Sequence, residues 1–135
     1  MNIRIRNRGG GGCCGVMVTL GLIMACVLLM GFIFGFSIKL TDEYACTMAV
    51  AQQHQLVIEE LGQPVEPALL AWTQSYESGG GEVRAVFSTS VSGPRGSGQV
   101  RANVYRTPLG ESFLIEYRNQ AGDWVRLHSG SSPCR

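Results

Sequence analysis

Val83-Arg-Ala-Val-Phe-Ser-Thr-Ser-Val91, followed by Ser92-Gly-Pro-Arg-Gly-Ser-Gly98 and Gln99-Val-Arg-Ala-Asn-Val-Tyr105, is the stretch that decides the fold. Val83, Ala85, Phe87, Thr89 and Val91 recur at every second position, with Arg84, Ser88 and Ser90 between them. Successive side chains of a strand point to opposite faces, so this period marks a strand with one buried face. Val100, Ala102 and Val104 repeat the pattern against Gln99, Arg101, Asn103 and Tyr105. The Gly- and Pro-rich segment between the runs is a turn, and the pair reads as a hairpin.

The same rhythm continues toward the C-terminus. Thr107-Pro-Leu-Gly110 turns the chain, Phe113, Ile115 and Tyr117 alternate with Ser112, Glu116 and Arg118, and Asn119-Gln-Ala-Gly-Asp123 turns it again before a last strand over 124–128. Toward the N-terminus, Leu70, Trp72 and Tyr76 fit one face of a first strand, broken by Gly79-Gly-Gly81. Short strands joined by brief turns favour an antiparallel meander. Its apolar face needs a cover, and the residues before it supply one. Thr41 can cap a helix that starts with Asp42 and Glu43, whose charges suit the positive end of the dipole. Tyr44, Ala45, Met48 and Ala49 lie at helical spacing, and Leu56, Val57 and Leu61 make a second short run ended by Gly62 and Pro64. The expected fold is α+β, with one or two helices packed on a roughly five-stranded antiparallel sheet.

Ahead of this domain, no Asp, Glu, Lys or Arg occurs from Gly9 to Ile38, and the core of that stretch, Val16 to Phe36, is apolar. About 20 helical residues cross the hydrocarbon core, and a backbone in lipid must bond to itself, so the segment reads as one N-terminal transmembrane helix. Its length, and the absence of a small-x-small site near Phe34-Gly-Phe-Ser-Ile-Lys39, favour an uncleaved signal anchor. Arg4, Arg6 and Arg8 precede the span, whereas Lys39, Asp42 and Glu43 follow it. Positive flanks stay cytoplasmic, which puts the domain on the outer side. The expected organisation is a basic, Gly-rich cytoplasmic arm over 1–12, the span over 13–40, an extracytoplasmic domain over 41–128 and a tail over 129–135. Within the span, Gly31 and Gly35 form a G-x-x-x-G pair that can serve as a packing face for a partner helix.

The chain has 135 residues and a formal net charge of +1, with its soluble arginines interleaved among acids, so no nucleic-acid-binding surface is expected. Of the five cysteines, Cys13, Cys14 and Cys26 lie in or beside the span. Cys46, on the first helix of the domain, and Cys134, in the tail, are a candidate disulfide in an oxidising compartment. His54 and His128 are isolated and no Cys-x-x-Cys occurs, so no metal site and no cofactor are expected. Gly93-Pro-Arg-Gly-Ser-Gly98 has the wrong glycine order for a dinucleotide loop and no helix after it. Glu59 with Glu60, and Glu111 with Glu116, read as surface positions and not as an acid/base pair. No catalytic residue is expected, and the chain does not read as an enzyme.

Val57-Ile-Glu-Glu-Leu-Gly-Gln-Pro-Val-Glu66 resembles the helix-ending leucine-glycine-x-proline segment of the cytochrome c oxidase assembly factor 1 family. Ser78–Gly81, the hairpin Val91–Val100 and the closing strands Glu111–Leu127, with their Gly122-Asp-Trp124 turn, resemble that family in the same order. The resemblance runs from about Glu43 to His128. It implies a membrane-anchored, non-enzymatic factor whose partners are the lipid bilayer and a membrane protein client, with oxidase subunits the first candidates. Mitochondrial members assist cytochrome oxidase assembly in the inner membrane, and their fold resembles the intermembrane-space domain of a presequence translocase subunit. No transit peptide is evident, which favours a bacterial member in the inner (cytoplasmic) membrane; the location is the mitochondrial inner membrane if the source is eukaryotic. Gly93, Pro94, Arg95 and Gly96 of the hairpin loop, together with Gly31 and Gly35, are then the candidate partner contacts. The alternative is an extracytoplasmic ligand-binding or sensing module with a pocket lined by Trp72, Phe87 and Tyr117.

Overall fold

A computed structural model describes residues 12–134 of the chain, with side chains from residue 15 onward. The basic arm therefore lies outside the described residues, except for its last position, and so do the side chains of Cys13 and Cys14. Helix α1 spans Gly12–Ser37, and the chain divides into two compact units, one ending at Phe32 and the other starting at Ile33. The apolar segment Gly15–Leu40 is long enough to cross a membrane, and none of its most apolar window is buried in protein.

The second unit opens on the end of α1 and a single 3-10 turn, Ile38–Leu40. Helix α2 follows over Asp42–Gln53, with the Tyr44 amide donating to the Thr41 hydroxyl at 3.3 Å. Helix α3 covers Gln55–Leu61, and His54 caps it by accepting the Leu56 amide on Nδ1 at 3.3 Å. The sheet comprises β1 (Glu66–Gly79), β2 (Glu82–Gly93), β3 (Gly96–Thr107), β4 (Gly110–Arg118) and β5 (Trp124–Ser131), all antiparallel and in sequence order. The architecture is α+β, with two short helices over one face of a five-stranded meander.

The alternating positions of β2, β3 and β4 form the core. Ala85, Phe87 and Thr89 pair across to Val104, Ala102 and Val100, and these in turn to Phe113, Ile115 and Tyr117. Against them pack Tyr44, Met48, Ala51, Val57 and Leu61 from the helices. Fully burying a Val, Leu, Ile or Phe side chain is worth about 1.5–3 kcal/mol, so this layer dominates the stability. The buried face of α2 is wider than expected. Ala45 is exposed, whereas Glu43, Cys46, Thr47 and Ala51 are buried with Tyr44 and Met48, the Thr47 hydroxyl donating to the Glu43 carbonyl at 2.8 Å. Cys46 and Cys134 are joined, with Cα atoms 5.8 Å apart, so the tail is tied to α2. Strand β5 extends to Ser131, three residues into the expected tail, where Ser129, Gly130 and Ser131 pair with Leu114, Phe113 and Ser112.

Strand β1 does not follow the expected alternation. Register shifts fall between Pro67 and Ala71 and again between Thr73 and Ser75. Each extra residue flips the following side chains to the other face. Trp72 therefore pairs with Ser88 on the uncovered face, whereas Tyr76 pairs with Ala85 on the helix-facing side. Pro67, which has no amide to donate, is tolerated because β1 is an edge strand.

Candidate functional site

The hairpin loop between β2 and β3 is docked onto the end of α3. Helix termini leave carbonyls without intrahelical partners. Here the Arg95 amide donates to the Leu61 carbonyl at 2.9 Å, and its guanidinium donates to the Glu59 carbonyl at 2.8 Å. Gly93 lies so close that a Cβ there would fall 2.3 Å from the Leu61 oxygen. Gly62, at φ 77°, rests on Pro94 and the Arg95 stem. The helix-ending segment and the loop thus form a single structural joint. Of the four loop residues, Pro94 and Arg95 are exposed and Gly93 and Gly96 partly buried.

The two span glycines have unlike surroundings. A Cβ on Gly35 would meet the Ala71 carbonyl and the Leu70 side chain at 3.3 Å, so that face is already taken by β1. A Cβ on Gly31 would meet nothing within 4 Å.

Two tyrosines are buried in the core. The Tyr44 hydroxyl is enclosed facing Thr89 and the Tyr117 hydroxyl facing Glu60, neither in a well-formed hydrogen bond. Burial, followed by the negative charge of the facing Glu60 carboxylate, pushes Tyr117 up to about 12. Burial also raises Tyr44. Both are neutral phenols at physiological pH and poor acid or base catalysts. The carboxylates weighed as acid/base pairs are held in structural contacts. Glu59 accepts from Gln55, Glu60 from the Gln120 amide at 2.6 Å, Glu111 from Arg106 and Glu116 from Arg101. Among the described residues, no three His, Cys, Asp or Glu side chains gather as metal ligands would. The pocket of the ligand-binding alternative is not formed: Phe87 and Tyr117 are core residues, whereas Trp72 is 75% exposed on the opposite face of the sheet. The bulges of β1 are the reason.

Within the second unit, α2 and α3 pack on the core face and leave that opposite face without a helix. Its middle row runs Trp72, Ser88, Arg101, Glu116, Arg126 from β1 to β5. The Arg101 guanidinium bonds Glu116 at 2.6 Å and sits 4.4 Å from the Trp124 ring centroid, with Arg118 on the same ring at 6.0 Å. Arg84 stacks on Tyr105 at 5.4 Å, and the Tyr105 hydroxyl donates to Glu82 at 3.2 Å. Arg, Trp and Tyr are the residues that dominate protein–protein contacts, because a rigid ring or planar cation gives large contact area at small entropic cost. The sequence signal for this surface is the set of positions opposite the core face. Reading it requires the register of β1, which the bulges hide.

No curated protein and no solved structure matches the chain. A family profile described as cytochrome oxidase complex assembly protein 1 matches residues 14–119, which include all but the first two residues of the apolar helix, both domain helices and four of the five strands. The chain belongs to the cytochrome oxidase complex assembly protein 1 family.

Proposed function

We propose that this protein is a membrane-anchored, non-enzymatic assembly factor for cytochrome oxidase or another respiratory membrane complex, acting through protein–protein contacts. The observation that carries the reading is the family match over residues 14–119, on a domain whose Arg- and aromatic-rich sheet face has neither α2 nor α3 on it. In this reading α1 spans the bacterial inner membrane, or the mitochondrial inner membrane if the source is eukaryotic. The arginines of the arm stay on the cytoplasmic side and the domain lies outside. The Cys46–Cys134 bond supports that side, because disulfides persist in oxidising compartments. The client is a membrane protein held by the uncovered sheet face, with Gly31 and the exposed part of the Pro94–Arg95 loop as secondary contacts.

Crosslinking the intact protein in native membranes, followed by mass spectrometry, tests this. Recovery of oxidase subunits or haem–copper maturation proteins is expected, with yield lost in Arg101→Glu and Trp124→Ala. Consistent recovery of unrelated envelope proteins rejects the oxidase role.

A further inference from the structure

Strand β1 touches the last turns of α1, and both sides of that contact lie within the second unit. Gly35 abuts Leu70 and the Ala71 carbonyl. Lys39 Nζ donates to the Ala68 carbonyl at 2.8 Å and to the Leu69 carbonyl at 3.3 Å. Phe34, Ser37, Ile38, Thr41, Thr73 and Tyr76 line an almost wholly apolar open crevice of about 350 Å3. Along the same segment, Leu40, Leu69 and Tyr76 are exposed by 75%, 67% and 51%, and Trp72, on the other face of β1, by 75%. A soluble domain rarely leaves so many large apolar side chains open along a single edge strand.

From these contacts we propose that β1 is an interfacial strand, seated in the headgroup layer of the bilayer, with Leu69, Trp72 and Tyr76 as its anchors and acyl chains entering the crevice. This rests on the membrane-anchored reading above. If residues 15–40 span the bilayer, Phe34 to Lys39 mark its outer boundary, and whatever abuts them sits at the same depth. Trp and Tyr prefer that depth because an apolar ring carries a polar edge. Backbone chemistry fixes the strand there and no deeper. An edge strand has open amides and carbonyls, which hydrocarbon does not tolerate. The Lys39 ammonium takes two of those carbonyls while keeping its charge at the boundary.

The chain has two tryptophans, and they report on opposite edges of the sheet. Trp124 starts β5, four strand spacings or roughly 19 Å from β1. The full-length Trp124→Phe protein leaves Trp72 as the sole tryptophan, and Trp72→Phe leaves Trp124; both side chains are on the uncovered face, outside the core. Each is reconstituted into phosphatidylcholine vesicles whose acyl chains are brominated near the carbonyl end, and flotation shows whether the protein is bound. Trp72 is expected to lose most of its emission to the brominated lipid and to resist aqueous iodide, whereas Trp124 is quenched by iodide and keeps its emission in brominated vesicles. A protein that floats but whose Trp72 is quenched by lipid no more than Trp124 overturns the interfacial strand and leaves the anchor standing. A protein that fails to float overturns both.

Discussion

Arg106 joins three elements through a single side chain. Its guanidinium bonds Glu43, on the first turn of α2, at 2.8 Å, and it also bonds Glu111 of β4. The Glu43 and Glu111 side chains are nearly enclosed, at 7% and 6% exposure, whereas the Arg106 side chain is 31% exposed. Removing the cation leaves two buried like charges, a loss of about 3–5 kcal/mol for fully buried pairs, so Arg106→Ala should cost about 3 kcal/mol given its partial hydration. Arg101→Ala breaks a more exposed pair with Glu116 and should cost no more than about 1 kcal/mol. Urea midpoints of the full chain in detergent compare the two, and equal losses would refute the argument. Tyr117 gives a pH signature. Its folded pKa lies above the ordinary tyrosine value of 10.0, so the fold favours the neutral phenol. That contribution is fully present below pH 10 and is lost as pH rises toward about 12, where the unfolded chain ionises first. Tyr117→Phe should flatten the alkaline fall in unfolding midpoint. At neutral pH it should stay within about 1 kcal/mol of the parent, because the deleted hydroxyl faces Glu60 without a well-formed hydrogen bond. A steeper alkaline fall in Tyr117→Phe would contradict the assignment.

At the scale of elements, the joint between α3 and the β2–β3 turn explains why the most recognisable motifs of the chain are glycines and prolines and not catalytic groups. Gly93→Ala pushes a methyl group into the Leu61 carbonyl, which is rigid backbone, and pulls the Arg95 amide off its acceptor. A loss of about 2–3 kcal/mol is expected, with faster proteolysis near Gly62. Pro94→Ala, at an exposed ring, should stay within about 0.5 kcal/mol of the parent in the same denaturation series. Strands β2, β3 and β4 were legible from alternation alone, because the β2–β3 and β3–β4 pairings keep a regular register from end to end. Strand β1 was legible as a strand but not in its facing, since its bulges break the period on which facing depends. The end of β5 was hidden for another reason: Ser129, Gly130 and Ser131 pair through backbone, and small polar side chains leave no hydropathy signal. Thr47 was missed in α2 because its burial depends on a local bond to the Glu43 carbonyl, which polarity alone does not reveal.

For the whole molecule, the helices and the far edge of the sheet are linked covalently as well as by packing. The two cysteines are legible as residues, but their pairing depends on β5 returning beside α2, a consequence of five strands in sequence order. The bond closes a loop of 88 residues. Constraining a loop of that length in the unfolded chain is worth about 4–5 kcal/mol. Beside Cys46, the core is held by the packing of Phe87, Ile115 and Tyr117 with Tyr44 and Leu61. A chain with both Cys46→Ser and Cys134→Ser should therefore remain folded at ambient temperature, with its thermal midpoint lowered by more than about 10 °C. The reduced parent protein should show the same fall, and adding reductant to the double variant should change nothing further. If reduction leaves the parent's midpoint unmoved, the closed loop contributes nothing and the stability of the domain resides in the sheet and helices alone.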